Sequence, residues 1–95
     1  MRPYEVMYIL RPNLEEEAIK ELVNRFQDVV TSRGGEITQL NEMGRRRLAY
    51  KIDHFNEGYY VVMNFNSSPE ASRELDRVLK ISDAVIRHMI IRDDE

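Results

Sequence analysis

The residues with the clearest potential for chemistry are four positive charges between positions 45 and 51. In the stretch GRRRLAYKI, residues 44–52, Arg45, Arg46 and Arg47 are adjacent, Lys51 follows, and no acidic residue lies among them. Adjacent like charges repel one another, and phosphate groups would compensate them. Arginine also presents a planar fork of donors that suits phosphate. The run therefore indicates a nucleic-acid contact, although runs of this kind are also typical of a solvated surface strand.

Other residue types that perform chemistry are sparse. The chain has no cysteine, no P-loop, no dinucleotide-binding glycine motif and no serine-nucleophile motif. His54 and His88 are the two histidines, and their spacing does not match a zinc pair. We interpret them as a turn residue and a strand residue. We therefore expect no catalytic residues, no metal, no cofactor and no small-molecule substrate.

Composition predicts one domain. The chain has 95 residues, of which 42% are hydrophobic and 33% are charged, so a modest core is expected over residues 1–95. Residues 93–95 are predicted to be a short acidic tail, and they carry the whole net charge of −3. The sequence contains no apolar run of membrane-spanning length and no signal-peptide pattern. These observations predict a cytoplasmic protein without a membrane partner.

The elements that must carry the basic run follow from hydrophobic periodicity. Alternation in residues 2–10 predicts a strand with one apolar face: Tyr4, Val6, Tyr8 and Leu10. The next segment is predicted to be a helix with Asn13 as its N-cap and Glu16 at its third position. Its predicted apolar stripe consists of Ala18, Leu22, Phe26, Val29 and Val30.

Residues 36–52 are predicted to be a second, irregular strand. Ile37, Leu40 and Met43 are spaced by three, so a bulge or bend is expected there or at Gly44. Residues 53–58 are interpreted as a hairpin connection. The third strand then places its more apolar residues on one face: Tyr59, Val61, Met63 and Phe65.

The last two elements complete a recognisable order. Ser68 and Pro69 are typical of the start of a helix, whose predicted inner face is Ala71, Leu75, Val78, Leu79 and Ser82. Residues 84–92 are predicted to be the last strand. The β-α-β-β-α-β order predicts an α+β, ferredoxin-like split sandwich, with a four-stranded antiparallel sheet and two helices on one face. The first and third strands should be central.

That fold leaves the other face of the sheet, the open face, without helices. Six apolar residues are expected there: Met7, Ile9, Tyr60, Val62, Met89 and Ile91. An uncovered face is normally polar, and a contiguous apolar patch on a small domain indicates a docking site. Central strands also tolerate apolar residues on both sides. Tyr60 could stack a base, although the third strand matches the RNA-recognition motif weakly.

The stretch of residues 44–52 resembles the characteristic segment of the bacterial small-subunit ribosomal protein S-six family. The matching positions are Gly44, Arg46, Arg47, Leu48, Ala49, Tyr50 and Ile52. The opening MRPYEVMYILRPNL and the segments EGYYVV and VIRHMIIR also resemble the family, in order and at the right length. Asp53 departs from the basic or small residue expected after Ile52.

The resemblance implies a structural protein that is not an enzyme. Family members pair with ribosomal protein S-eighteen, and the pair binds the central domain of 16S ribosomal RNA. Our candidates for RNA binding are the residues of the basic run and three single strand-borne arginines: Arg45, Arg46, Arg47, Lys51, Arg2, Arg87 and Arg92. The six apolar residues of the open face are the candidates for binding the partner protein.

One alternative belongs to a different class of function. Acylphosphatases share the ferredoxin-like fold and use an arginine after the first strand with an asparagine on the second strand. Arg11 and Asn41 superficially occupy those places. The glycine-rich phosphate loop that precedes the arginine in those enzymes is absent from MYILRPNL.

Overall fold

The computed structural model describes residues 1–93, and it confirms the predicted order of elements. The elements are β1 (Arg2–Leu10), α1 (Glu16–Thr31), β2 (Glu36–Ile52), β3 (Phe55–Ser67), α2 (Pro69–Ile81) and β4 (Val85–Arg92). The strands are antiparallel and lie in the order β2-β3-β1-β4. The ferredoxin-like fold is therefore confirmed, with β1 and β3 central. No helix among the described residues is long and apolar enough to cross a membrane.

The core lies between the two helices and one face of the sheet. Alternate residues of the central strands enter it, and each is at most 1% exposed: Val6, Tyr8, Leu10, Val61, Met63 and Phe65. Tyr8 contacts Phe26 of α1 edge-on, with the ring centroids 5.0 Å apart. The predicted inner faces of the first and third strands are confirmed, because a period of two decides which side chains share a face.

The prediction for α1 was wrong in two details. The helix begins at Glu16 after Glu15, which makes no side-chain capping bond, so Asn13 is not the N-cap. Its buried residues are Ile19, Val23, Phe26 and Val30. The predicted members Ala18, Leu22 and Val29 lie at the half-buried margin. Adjacent apolar positions create two overlapping stripes on this helix, and packing against the sheet selects between them.

The start of α2 agrees with its prediction. Ser68 is the N-cap, and its hydroxyl accepts a hydrogen bond from the Ala71 N–H at 3.2 Å. Pro69 occupies the first helical position, where its missing N–H costs nothing. Ala71, Leu75 and Leu79 are buried as predicted, whereas Val78 and Ser82 are half-buried.

β2 is long and bent. Its register against β3 shifts between Ile37 and Gln39 and again between Glu42 and Gly44, which confirms the predicted irregularities. Gly44 adopts φ +86°, a conformation that favours glycine. Beyond this bend, β2 and β3 form a ribbon in which the register shifts once more, between Arg47 and Ile52. This ribbon is here called the β2–β3 hairpin (residues 44–58).

The connection within the hairpin is shorter than predicted. The turn is formed by Asp53 and His54, both with positive φ, and β3 already begins at Phe55. Residues 55–58 therefore belong to the ribbon and not to a loop. Of the predicted acidic tail 93–95, the Asp93 N–H donates to the Pro3 carbonyl at 3.0 Å, and residues 94–95 lie outside the described part of the chain.

Candidate functional site

The three adjacent arginines point in alternate directions from β2. In the register with β3, Arg45 is opposite Tyr59, Arg46 is opposite Gly58 and Arg47 is opposite Glu57. Successive side chains of a strand lie on opposite faces. Arg46 therefore lies on the open face, and Arg45 and Arg47 lie on the helix-covered side. Leu48 and Tyr50 also lie on the open face, where they line a groove together with Met7.

Arg45 is held against the connection between β1 and α1. Its Nε and Nη2 atoms donate to the Pro12 carbonyl at 3.2 and 3.1 Å, and Nη2 also donates to the Leu14 carbonyl at 3.2 Å. Hydrogen bonds from a charged donor are stronger than neutral ones. The guanidinium of Arg45 is thus engaged by backbone 31 and 33 residues away in the sequence.

The other basic residues of the run are less constrained. Arg46 donates from Nε to the Met43 carbonyl at 3.4 Å, a local contact within the same strand. Arg47 and Lys51 are exposed, and neither side chain forms a hydrogen bond or an ion pair within residues 1–93. Glu57 lies opposite Arg47 in the ladder, so the run is less isolated from acidic residues than its sequence indicates. Arg46, Arg47 and Lys51 form the available basic cluster of the hairpin.

The predicted basic residues do not form one patch. Arg2 pairs with Ser67, whereas Arg45 pairs with Tyr59, so the two lie at opposite ends of β3, roughly 27 Å apart at 3.4 Å per residue. Arg92 is opposite Tyr4 and lies near the end with Arg2. Of the three single arginines predicted to bind RNA, Arg87 is the one that contacts the hairpin, through its hydrogen bond with Tyr50. The structure therefore places Arg46, Arg47 and Lys51 on the hairpin and Arg87 in contact with it, and it separates Arg2 and Arg92 from them.

The hairpin covers one end of the open face. Leu48 is 7% exposed and Ile9 is 3% exposed, so the expected exposure of Ile9 was wrong. A Cβ atom on Gly58 would lie 2.3 Å from Ile9 Cγ2, which shows how closely the ribbon approaches that side chain. Ile9 is buried because the bend at Gly44 carries the hairpin over it.

Tyr50 holds the hairpin to β4 by its hydroxyl. Although Tyr50 is 62% exposed, its hydroxyl accepts a hydrogen bond from Arg87 Nη1 at 2.6 Å. Between the hairpin and the sheet lies a groove of about 320 Å³, and its lining includes Met7, Ile9, Tyr60 and Met89. Leu48 thus anchors the strand by burial, as expected, while Tyr50 does so by a hydrogen bond across the groove.

The rest of the open face keeps its apolar side chains accessible. Met7 is opposite Val62 on one side and Met89 on the other, so these residues form a continuous strip. Met7, Tyr60 and Val62 are half-buried, and Met89 and Ile91 are 55% and 44% exposed. Five of the six predicted partner-binding residues are therefore available, with Ile9 the exception.

A polar pocket beside Arg45 was not predicted. It has a volume of about 380 Å³ and is lined by Glu16, Ile19, Lys20, Glu42, Arg45 and Tyr59. The Tyr59 hydroxyl donates to Glu42 Oε1 at 3.0 Å, and partial burial together with this bond raises the pKa of Tyr59. These side chains come from α1, β2 and β3, and no local pattern in the sequence links them.

The acylphosphatase alternative receives no geometric support. Arg11 lies beside Ala84, near the start of the edge strand β4, and its N–H donates to the Ala84 carbonyl at 2.9 Å. Asn41 is opposite Val62 on β2, the edge strand at the other side of the sheet. The arginine and the asparagine therefore do not converge on one site. His88 contacts Asp76 of α2, with Nε2 and Oδ1 2.8 Å apart.

Comparison with known proteins agrees with this architecture along the whole chain. The family model described as "Ribosomal protein S6" matches residues 3–92. "Small ribosomal subunit protein bS6" of Caldanaerobacter subterraneus subsp. tengcongensis is 57% identical over 95 residues, covering 100% of both chains. The protein of the same name from Desulforamulus reducens is 54% identical, again over 100% of both chains.

A solved structure shows the same agreement in three dimensions. The crystal structure of 30S ribosomal protein S6 from Thermotoga maritima superposes with a TM-score of 0.91 at 36% identity, covering 96% of this chain and 86% of that one. Sequence and fold therefore match over nearly the same residues, including the hairpin. The resemblance drawn from residues 44–52 is confirmed: the chain belongs to the ribosomal protein S-six family.

Proposed function

We propose that this protein is a structural constituent of the small ribosomal subunit that binds the central domain of 16S ribosomal RNA together with ribosomal protein S-eighteen. Its place is then the ribosome in the cytoplasm. The observation that carries the proposal is the position of the hairpin, which sets an accessible basic cluster beside an accessible apolar strip. One rigid sheet thus offers one surface for RNA and another for a protein.

The basic cluster suits the RNA backbone. Arg46, Arg47 and Lys51 are exposed on a ribbon whose position is held by Leu48 and Tyr50. Contacts to phosphate position a protein on RNA without reading its sequence. A structural constituent of a particle needs positioning of this kind, and strands hold such contacts more precisely in place than mobile loops do.

The open face suits a protein that carries positive charge. Its apolar strip runs from the hairpin towards the end of the sheet where Glu5, Glu36 and Asp93 lie. Glu36 and Asp93 accept hydrogen bonds from Asn66 and Asn64, at 3.4 and 3.2 Å. An RNA-binding partner such as S-eighteen is expected to be basic, and it would meet apolar contacts flanked by carboxylates.

The RNA part of the proposal is tested by filter binding across a salt series. The variant Arg46→Ala/Arg47→Ala/Lys51→Ala, bound to S-eighteen, should bind a central-domain RNA fragment more weakly. The slope of log affinity against log salt should shrink by about 2–3, at just under one per lost phosphate contact on a duplex. Arg73→Ala, an exposed change on α2, is the control. Wild-type affinity of the triple variant at every salt concentration would refute the RNA contact.

The protein-binding part is tested at Val62, in the middle of the apolar strip. Val62→Asp should leave the fold intact, because Val62 is only half-buried and a carboxylate there can remain hydrated. Affinity for S-eighteen should fall at least tenfold, since a charge is costly in an apolar interface. Isothermal calorimetry measures this change, and circular dichroism checks the fold. An unchanged affinity would remove this part of the open face from the partner site.

A further inference from the structure

We infer that Arg45 is a positioning residue that fixes the direction of the β2–β3 hairpin and does not itself contact RNA. The inference rests on the proposed function, because it concerns how Arg46, Arg47 and Lys51 are presented to phosphate. Although the three adjacent arginines have identical chemistry, Arg45 then orders the protein, and Arg46 and Arg47 contact the RNA.

The contacts of Arg45 fit a clamp. Three hydrogen bonds join Nε and Nη2 to the carbonyls of Pro12 and Leu14, at 3.1–3.2 Å. These carbonyls lie in the connection between β1 and α1, which has no helix or strand ladder of its own. A planar guanidinium can serve two carbonyls at once with little further loss of freedom, whereas a lysine ammonium is a flexible point charge. The clamp therefore depends on arginine geometry and not on charge alone.

The hairpin needs such a clamp because β2 bends immediately before it. The register shifts between Glu42 and Gly44, and Gly44 adopts φ +86°. A bulge locally disrupts the ladder and changes the direction of the strand. Arg45 is the first residue after this bend, and it returns the ribbon to the body of the protein on the helix-covered side.

A second attachment lies on the opposite face of the ribbon. Leu48 is buried and lines the same groove as Ile9, and the Tyr50 hydroxyl accepts a hydrogen bond from Arg87 Nη1. One anchor on each face restrains rotation of the ribbon about its own axis, which neither anchor does alone. The side chains between and beyond these anchors, Arg46, Arg47 and Lys51, are thereby presented in fixed directions.

The surroundings of Arg45 also disfavour a phosphate. The pocket of about 380 Å³ next to its side chain is lined by Glu16 and Glu42 as well as by Lys20. Two carboxylates near the guanidinium would repel an RNA phosphate that entered this pocket. Arg45 and Arg47 are both exposed, but the Arg47 side chain forms no hydrogen bond or ion pair in the part of the chain that the structure describes.

Four variants separate the two roles: Arg45→Lys, Arg45→Ala, Arg47→Lys and Arg47→Ala. For each, the complex with S-eighteen is titrated with the central-domain RNA fragment across a salt series. Both Arg45 variants should weaken binding about tenfold with an unchanged salt slope. Arg47→Ala should lower the slope by about 0.9, as expected for one lost phosphate contact on a duplex. Arg47→Lys should bind like the wild type, because it retains the charge.

Hydrogen exchange of the free protein provides a readout that does not depend on RNA. In both Arg45 variants, amides of residues 13–16 and 45–52 should exchange at least threefold faster, while those of β1 and α2 stay unchanged. The Arg47 variants should leave both segments unchanged. Faster exchange confined to these segments also shows that the Arg45 variants are folded.

Two results would overturn the inference. The first is wild-type RNA affinity in Arg45→Lys together with a slope reduced by about 0.9 in Arg45→Ala, which would identify a phosphate contact. The second is unchanged hydrogen exchange in both Arg45 variants, which would remove the clamp even if RNA binding is intact. A wild-type complex that fails to bind RNA would instead refute the proposed function, and faster exchange would still support the clamp.

Discussion

Apolar side chains on the two faces of the sheet differ in what covers them. On the helix-covered face, α1 and α2 cover the central strands, and Val6, Leu10 and Val61 are fully buried. On the open face, the β2–β3 hairpin covers apolar side chains only near Ile9. Exposure therefore rises from 3% at Ile9 to 55% at Met89. Burial on the open face is therefore local, and an apolar strip stays accessible.

The largest difference between the faces should appear in the stability of alanine variants. Leu10→Ala should lower the free energy of unfolding by about 2–5 kcal/mol, because it leaves a cavity in the closed core. Met89→Ala should change it by less than about 1 kcal/mol, since the side chain is 55% exposed. Urea denaturation measures both values. Equal losses would mean that the open face is as closed as the core.

The boundary between covered and uncovered parts of the open face can be tested at Gly58. Gly58→Ala should cost about 1–3 kcal/mol, because the new Cβ would meet Ile9 Cγ2 at 2.3 Å. Ile9→Ala removes that methyl group, so the double variant should lose less stability than the two single variants added together. The coupling should be about 0.5–3 kcal/mol, the usual range for residues in contact.

Gly44 is the matched control for this coupling. It also lies in the hairpin and has φ +86°, but a Cβ atom there would meet nothing within 4 Å. Gly44→Ala should therefore destabilise through backbone strain alone, by about 1 kcal/mol. Its effect should add to that of Ile9→Ala without coupling. Equal coupling at both glycines would mean that Gly58 acts through strain and not through its contact with Ile9.

The smallest expected effect concerns Tyr8 in the closed core. Burial raises the pKa of the Tyr8 hydroxyl above its ordinary value, and Glu42 and Tyr59 raise it further. The folded protein therefore keeps this proton at a pH where the unfolded chain has lost it. The resulting stability is complete below about pH 10, the ordinary tyrosine pKa, and declines as the pH rises further.

Tyr8→Phe should remove this alkaline loss of stability. At pH 7 the variant should differ by no more than about 1 kcal/mol, because the buried hydroxyl has no hydrogen-bond partner within residues 1–93. Urea denaturation at pH 7 and at pH 10.5 measures the free energy of unfolding of the wild type and of the variant. If wild type and variant lose equal stability between the two pH values, water reaches Tyr8 and the closed face is less closed than the structure indicates.

Much of the fold could be predicted because its signals are local. Alternation placed Val6, Tyr8 and Leu10 on one face of β1, since a strand has a period of two whatever surrounds it. Ser68 and Pro69 marked the start of α2 by their own backbone and hydroxyl chemistry. The capping prediction at Asn13 was wrong, because a local signal gives only a preference that packing of α1 against the sheet can override.

The candidate site depended more on contacts between distant residues. The alternation of side chains along β1 places Ile9 on the open face, so the sequence alone predicts that it is exposed. Its burial under Gly58 and Leu48 follows from the direction of the hairpin, which is set by the bend at Gly44. A local pattern cannot indicate where a ribbon goes after a bulge.

The order of elements, the faces of the central strands, the family and a basic run next to a strand could all be predicted from the sequence alone. The contacts that each arginine of that run makes could be read from the tertiary structure and not from the sequence. Arg45 and Arg47 have the same chemistry and lie on the same side of β2. The Arg45 side chain donates to the carbonyls of Pro12 and Leu14, whereas the Arg47 side chain forms no hydrogen bond within residues 1–93. The division arises because those carbonyls are more than 30 residues away in the chain and reach Arg45 only after the sheet and α1 have assembled.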